Sequence, residues 1–341
     1  MSTKVQNDNS NKIELKISDY VKGIKSGDRK SLAQAITLVE SEKKEHQLKA
    51  QELLTDIFTN EIKSLRIGIT GIPGAGKSTF IEKLGTNLTS SGHKVAVLTI
   101  DPSSSITGGS ILGDKTRMLQ LSKNSNAFIR PSPTSGTLGG VNKKTRETIL
   151  LCEAAGYDII LIETVGIGQS EISISEMVDF CLLLLISGGG DELQGIKKGV
   201  LELADMVAIN KSDGDNIESA KISAIEYKNA LRIFKPKDTK DTWQTPVLTI
   251  SSLKNIGLEE LWSQINERLK GLKISGKLKD NRLLQQKKWM WEIVENRLLK
   301  NIRSRLEINN FRITMEDSIA TGDITPVMAA EKIYQKINLK E

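Results

Sequence analysis

The chain has 341 residues, with 48 Lys and Arg against 42 Asp and Glu and a formal net charge of +6. That length suits one large α/β domain with helical additions or two modest domains, and so small a surplus of positive charge is no electrostatic footprint of a nucleic-acid binder. The longest apolar run, Phe180 to Ile186, is far short of the roughly 20 residues that span a bilayer, so it reads as a buried strand.

The opening residues MSTKVQNDNSNK are polar, with no apolar core and no Arg, unlike a secretory signal or an Arg-rich transit peptide. A soluble, cytoplasmic protein is expected. Cys152 and Cys181 sit in apolar runs, which predicts two buried free thiols in a reducing compartment and no disulfide.

From Ile13 to Asn60 the apolar residues recur at helical spacing: Tyr20, Val21 and Ile24, then Leu32, Ile36, Leu38 and Val39, then Leu48, Leu53, Leu54 and Ile57. Residues 1–62 are expected to form an N-terminal helical extension. Short apolar runs then alternate with helical stretches: Leu65–Thr70, Val95–Ile100, Ile159–Glu163, Phe180–Ile186, Met206–Asn210 and Val247–Ile250. Continuous apolar strands separated by helices describe an α/β fold with a mostly parallel sheet covered on both faces, here over residues 63–271. Beyond Gly271 a Lys-rich link (Lys273, Lys277, Lys279) leads into a helical pattern with an apolar stripe, Leu284, Trp291, Val294, Leu298 and Ile302. Its other face is basic (Lys287, Lys288, Arg297, Lys300, Arg303) and is read as the solvated side of a packing helix rather than a membrane surface. Thr325-Pro326 opens a further helix, making residues 272–341 a helical arm. The chain shows no internal repeat.

Chemistry enters with Gly71-Ile72-Pro73-Gly74-Ala75-Gly76-Lys77-Ser78, which fits G-x-x-x-x-G-K-[ST] and lies between a predicted strand and a predicted helix, the context that the motif requires. Glycines turn backbone N–H groups toward a phosphate and the helix N-terminus adds positive potential. Lys77 is placed to bridge the β- and γ-phosphates, and Ser78 to offer its hydroxyl to Mg²⁺. Mg²⁺ takes oxygen ligands and keeps several waters, so one or two carboxylates should converge on Ser78. Asp101 and Glu163 end predicted strands and Asp114 lies in the Gly-rich stretch after Asp101, which makes these three the candidates.

Asn210-Lys211-Ser212-Asp213 follows a predicted strand and fits N-K-x-D. Its carboxylate accepts from the guanine ring N–H and the exocyclic amine, a pair of donors that adenine cannot supply. Ser251-Ser252-Leu253 follows the last predicted strand, where a further contact to the base is expected.

Longer runs surround these motifs: Gly71 to Thr79, Asp101 to Ser105, Gly109 to Met118, Arg130-Pro131-Ser132-Pro133, Gly136 to Val141, Glu163 to Glu171, Gly190 to Gly199 and Asn210 to Asp213. Together they closely resemble the MeaB/ArgK (MMAA-type) GTPases, chaperones of adenosylcobalamin-dependent methylmalonyl-CoA mutase, over about Ser31 to Gly271. The resemblance implies a P-loop GTPase of the SIMIBI type, with a C-terminal helical arm through which two subunits dimerise. It carries Lys77, Ser78 and Thr79 to phosphate and Mg²⁺ binding, with Thr164 beside the nucleotide, and Asp101, Asp114 and Glu163 to the metal region. Arg117 is carried to a mobile loop near the nucleotide, and Asp191 and Lys197 to a third switch that passes the client's presence to the hydrolysis site. The first dozen residues and Leu231–Trp243 are the segments less typical of the family.

The expected reaction is hydrolysis of GTP to GDP and phosphate, slow without a partner because the sequence shows no dedicated general base. The expected client is a methylmalonyl-CoA mutase or related acyl-CoA mutase. Cobalamin is not expected to bind this chain: D-x-H-x-x-G is absent, and His46 and His93 read as a solvent-facing helix residue and a turn residue. A small-molecule kinase built on the same P-loop is the main enzymatic alternative. A metallochaperone GTPase would want a Cys or His cluster, and two Cys and two His, all separated, do not make one.

Overall fold

The computed structural model describes residues 15–101, 118–133, 138–164, 174–188, 198–234 and 243–338. The chain divides into two compact units, Met1–Arg282 and Leu283–Glu341.

The first unit opens with three helices, α1 (Ile17–Lys25), α2 (Arg29–Glu40) and α3 (Lys44–Ile57). Asp28 caps α2 by accepting from the backbone N–H groups of Lys30 and Ser31, two of the donors that a helix start leaves without partners. The buried face of α3 carries Ala50, Leu53 and Ile57. Leu48, expected on that face, is 62% exposed, because it stands two and five positions from Ala50 and Leu53, off the i, i+3, i+7 row.

Then follow β1 (Leu65–Gly71), α4 (Lys77–Ser90), β2 (Val95–Asp101), α5 (Leu119–Lys123), β3 (Ala127–Pro133), α6 (Leu138–Ala154), β4 (Ile159–Thr164), β5 (Phe180–Ile186), α7 (Lys198–Leu203), β6 (Met206–Asn210), α8 (Ile217–Phe234), β7 (Val247–Thr249) and α9 (Leu258–Ile274). Among the described residues the sheet has seven strands in the order β3-β2-β4-β1-β5-β6-β7, and every pairing between them is parallel. The six predicted strands all form.

β3 was not anticipated as a strand. Its Pro131 and Pro133 lack the N–H that a central strand must donate, and the chain resolves this by placing β3 at the sheet edge, bonded among the described strands to β2 alone.

Alternation along the strands sends side chains into two cores. Val95, Val97, Ile159, Leu161, Ile67 and Ile69 meet Phe80, Ile81 and Leu84 of α4 on one face. Ala96, Leu98, Ile160 and Ile162 join Ile149 and Cys152 of α6 with Ile24, Ile36 and Leu53 of α1–α3 on the other. Both cysteines are buried and free, as expected. Burial, then the neighbouring Glu153 charge, pushes the Cys152 thiol far above its ordinary range.

The residues after Gly271 are not a link. α9 continues to Ile274, turns at Gly276 (φ +76°), and α10 begins at Lys277 and runs to Ser304. The lysines are good helix formers, and one glycine in the left-handed region suffices to end α9. Arg282, in the second turn of α10, is buried. Its Nε donates to Asp179 Oδ1 (2.8 Å), its Nη2 to Asp179 Oδ2 (2.5 Å) and to the Ser64 carbonyl (2.8 Å), and its Nη1 to Glu153 Oε1 (3.3 Å). Arg66 holds Glu153 from the other side with Nε and Nη2, both at 2.8 Å. Burial alone would raise the Glu153 carboxyl, but Arg66 and Arg282 together outweigh it and hold the group below its ordinary value.

The second unit comprises α10 from Leu283, α11 (Leu306–Ala320) and α12 (Pro326–Asn338). Thr325 caps α12, its Oγ1 accepting from the Met328 N–H at 3.2 Å, with Pro326 at the first helical position as expected. The predicted apolar stripe of α10 faces solvent: Leu284, Trp291, Val294 and Leu298 are all exposed. Among the described residues no helix is long and apolar enough to cross a membrane.

Candidate nucleotide site

The predicted site residues that the structure describes gather at the C-terminal ends of β1, β4, β6 and β7, where ligands bind in open parallel sheets. The β1–α4 turn begins at Gly71, whose φ is +148° and where an added Cβ would stand 1.9 Å from the Leu184 carbonyl oxygen of β5. The turn closes at Gly76, φ +86°, where a Cβ would meet Asn210 Nδ2 at 2.7 Å. Between them Pro73 and Gly74 are exposed and Ala75 is buried, and the Ala75 N–H donates to the Ile72 carbonyl at 3.2 Å.

Lys77 is buried, with its ammonium donating to the carbonyls of Gly71 (2.9 Å) and Ile72 (3.1 Å). The charge therefore lies inside the loop at the N-terminus of α4. Ser78 Oγ donates to Glu163 Oε1 at 3.0 Å, bringing together a hydroxyl and a carboxylate 85 residues apart. Thr79 is exposed. Thr164 is buried, its Oγ1 donating to Thr70 Oγ1 at 3.0 Å, which joins the end of β4 to the strand that leads into the turn. Hydroxyl plus carboxylate is the oxygen donor set that suits Mg²⁺, which completes its shell with water and phosphate and needs no larger protein cluster.

Asn210, 2% exposed, joins the two halves of the site. Its Nδ2 donates to the Ala75 carbonyl at 2.7 Å, while its Oδ1 accepts from the Ser252 N–H at 3.0 Å and from Ser252 Oγ at 2.8 Å. Lys211 adopts φ +59°, an unusual conformation for a side-chain-bearing residue, and is exposed. That bend turns the chain so that the Ser212 N–H reaches the Ile250 carbonyl (2.9 Å) and the Asp213 carboxylate accepts from Ser251 Oγ. Leu253, beside them, is 70% exposed.

The family model described as methylmalonyl Co-A mutase-associated GTPase MeaB matches residues 32–307. The chain belongs to this family. The GTPase ArgK of Escherichia coli is 46% identical over 298 residues, covering 87% of this chain and 89% of its own length. A mouse protein named methylmalonic aciduria type A homolog, mitochondrial, is 46% identical over 323 residues, covering 92% of this chain and 77% of its own. The crystal structure of a LAO/AO transport system kinase superposes with a TM-score of 0.75 at 35% identity, covering 98% of this chain and all of its own. The chain is thus a GTPase of the MeaB family with a P-loop α/β fold, and the resemblance read from the motifs is the right one.

Of the other residues expected at the site of this MeaB-family GTPase, Asp101 ends β2 at the same end of the sheet. Its side chain, and Asp114, Arg117, Asp191 and Lys197, lie outside the described residues. His93 stands after Gly92 as expected, with Nδ1 2.6 Å from Asp158 Oδ2 and its ring edge-on to Trp262. His46 is half-buried rather than solvent-facing, because Nδ1 lies 2.8 Å from Ser41 Oγ. Sequence reasoning passed over Glu82 and Thr70. An acid four positions after Ser78, among Phe80, Ile81 and Leu84 of a buried helix face, was a readable sign that something polar meets it.

Proposed function

We propose that the site hydrolyses GTP with Mg²⁺ to time a chaperone cycle in which adenosylcobalamin is loaded onto, or a damaged cofactor exchanged from, a methylmalonyl-CoA mutase or a related acyl-CoA mutase. The observation that carries the guanine reading is Asn210, whose hydrogen bonds to Ala75 and Ser252 join the phosphate loop to the base-reading turn. The family's name and the mouse relative's name support the client.

In this reading Lys77 exchanges its two carbonyl acceptors for β- and γ-phosphate oxygens. Ser78 and Glu163, with Asp101 and Asp114, would hold a magnesium ion, which would supply positive charge to offset that of the phosphates. The backbone from Gly71 through Thr79, together with Thr164, surrounds the phosphates. Asp213 accepts from the guanine ring, oriented by Ser251, with Lys211 and Leu253 flanking the base. Water attacks the γ-phosphorus in line, the bond to the β–γ bridging oxygen breaks, and the water's proton leaves with phosphate or solvent. Glu163 helps to order that water, and Arg117 and Lys197 come to the phosphates from their loops once the client is bound.

Residues 1–62 act as the helical extension and 63–271 as the nucleotide domain. Residues 272–341 serve as the arm through which two copies associate in the cytoplasm, presenting the exposed stripe of α10. Hydrolysis of GTP and ATP, with and without purified methylmalonyl-CoA mutase, tests the proposal. Guanine-selective turnover accelerated by the mutase is expected; an unchanged rate and no complex would remove the client. The superposed relative is called a kinase, so the same assay includes candidate amine acceptors, and a phosphorylated acceptor in place of free phosphate would favour that reading.

A further inference from the structure

Helix α4 does more than present Lys77 and Ser78 at its first turn. Along one side it holds the segment Met118–Asn124, which leaves the stretch 102–117 and enters β3. Glu82, one turn beyond Ser78 and nearly buried, accepts from the Gln120 N–H at 2.7 Å through Oε1. The Leu121 N–H lies 3.3 Å from Oε1 and 3.4 Å from Oε2. The carboxylate thus satisfies the orphan donors that open α5, and a negative charge at a helix start is favourable.

One turn further along, Gly85 leaves room for Leu121: a Cβ there would stand 2.6 Å from Leu121 Cδ2. Another turn on, Thr89 Oγ1 accepts from Asn124 Nδ2 at 3.0 Å. Met118 and Leu121 are fully buried in the same core as Phe80 and Ile81. Three positions at i, i+3 and i+7 of one helix therefore secure one short segment, by a carboxylate, an absent side chain and a hydroxyl in turn.

Arg117 is the residue immediately before Met118. From this anchorage we infer that Glu82 is a positioning residue for GTP hydrolysis: it fixes the backbone at 118–121 to the phosphate-binding helix, so that Met118, the residue that follows Arg117 in the sequence, is held in fixed relation to Lys77 and Ser78. The inference rests on the hydrolytic reading of the site and on the role proposed there for Arg117. Glu82 touches no nucleotide. Its effect on turnover comes through the precision with which the neighbouring arginine is placed, where an error of about 1 Å can cost on the order of a hundredfold.

The test compares Glu82→Ala, Glu82→Gln and Gly85→Ala in the full chain, reading single-turnover GTP hydrolysis, GDP affinity and thermal unfolding. Glu82→Ala is expected to slow hydrolysis by about tenfold to a hundredfold while GDP affinity stays within about threefold. Glu82→Gln keeps an oxygen that can accept from Gln120 and is expected to recover most of the rate. Gly85→Ala reaches the same result by another route, pushing Leu121 away without touching the carboxylate, and so decides the question should Glu82→Ala fail to fold.

In a double-mutant cycle with Arg117→Ala, the second substitution should add little to the first. Full-rate hydrolysis by both Glu82→Ala and Gly85→Ala would overturn the inference. So would loss of GDP affinity in step with the rate, or no recovery in Glu82→Gln. If Arg117→Ala alone hydrolyses GTP normally, the role given to Arg117 is wrong, and with it the inference that Glu82 works through that residue. Absence of GTP turnover in the unaltered protein would instead remove the hydrolytic reading itself.

Discussion

Replacing Asn210 with Ala removes three hydrogen bonds at a position 2% exposed to solvent. It strands the Ala75 carbonyl, the Ser252 N–H and the Ser252 hydroxyl. Each contributes about 1 kcal/mol, so the free protein should lose about 3 kcal/mol, which for a domain of this size lowers the melting temperature by roughly 6–12 °C. The larger effect is expected on ligand binding, because the phosphate loop and the base-reading turn are then no longer joined. GDP affinity should fall about a hundredfold or more, a loss beyond what the stability change explains. Asn210→Asp sharpens the test: its carboxylate still accepts from Ser252 but sets a negative oxygen against the Ala75 carbonyl, so stability should suffer comparably with one side of the link intact. Calorimetric titration with GDP and Mg²⁺, alongside thermal unfolding, measures both. An Asn210→Ala protein that binds GDP with unaltered affinity would refute the idea that this side chain couples the two halves.

Asp213→Asn turns one acceptor into a donor, and guanine presents donors there; GTP should weaken about a hundredfold or more while xanthosine triphosphate, with a carbonyl in that place, gains. Equal binding of both by the variant would argue against Asp213 as the base reader. Arg282→Ala leaves Asp179 buried without its bidentate partner and should cost about 3–5 kcal/mol in urea unfolding. The Glu153 carboxyl is held below its ordinary value in the folded chain. The stability it contributes is therefore present above about pH 4.5 and drains away as pH falls through the folded value. Losing Arg282 shrinks that contribution, so wild type and variant should converge on acidification, and a gap that widens toward low pH would contradict the network. Trp291 is 60% exposed on the α10 stripe; sedimentation should show a dimer that Trp291→Glu converts to monomer, and a wild-type monomer at every concentration would remove the proposed arm contact.

Much of this protein can be read without coordinates. Strands such as Phe180–Ile186 and the stretch Ile159–Ile162 of β4 are continuous apolar runs, and the phosphate loop announces itself because its glycines, Lys77 and Ser78 answer to local backbone geometry within eight consecutive residues. Thr325-Pro326 marks a helix start for the same local reason. β3 escaped, since Pro131 and Pro133 look like strand breakers until it is known that the strand lies at an edge.

What no local pattern could supply is which distant residues meet. Ser78 finds Glu163, Asn210 finds both Ala75 and Ser252, and Glu82 finds Gln120 across separations of 38 to 135 residues. Those meetings follow from the strand order, which sets β4 and β5 on either side of β1 and carries the ends of β6 and β7 around to the same rim. Amino-acid order specifies what each segment prefers to be; only the closing of two cores over a seven-stranded sheet decides which charged and hydroxyl-bearing side chains share a buried neighbourhood and must satisfy one another there.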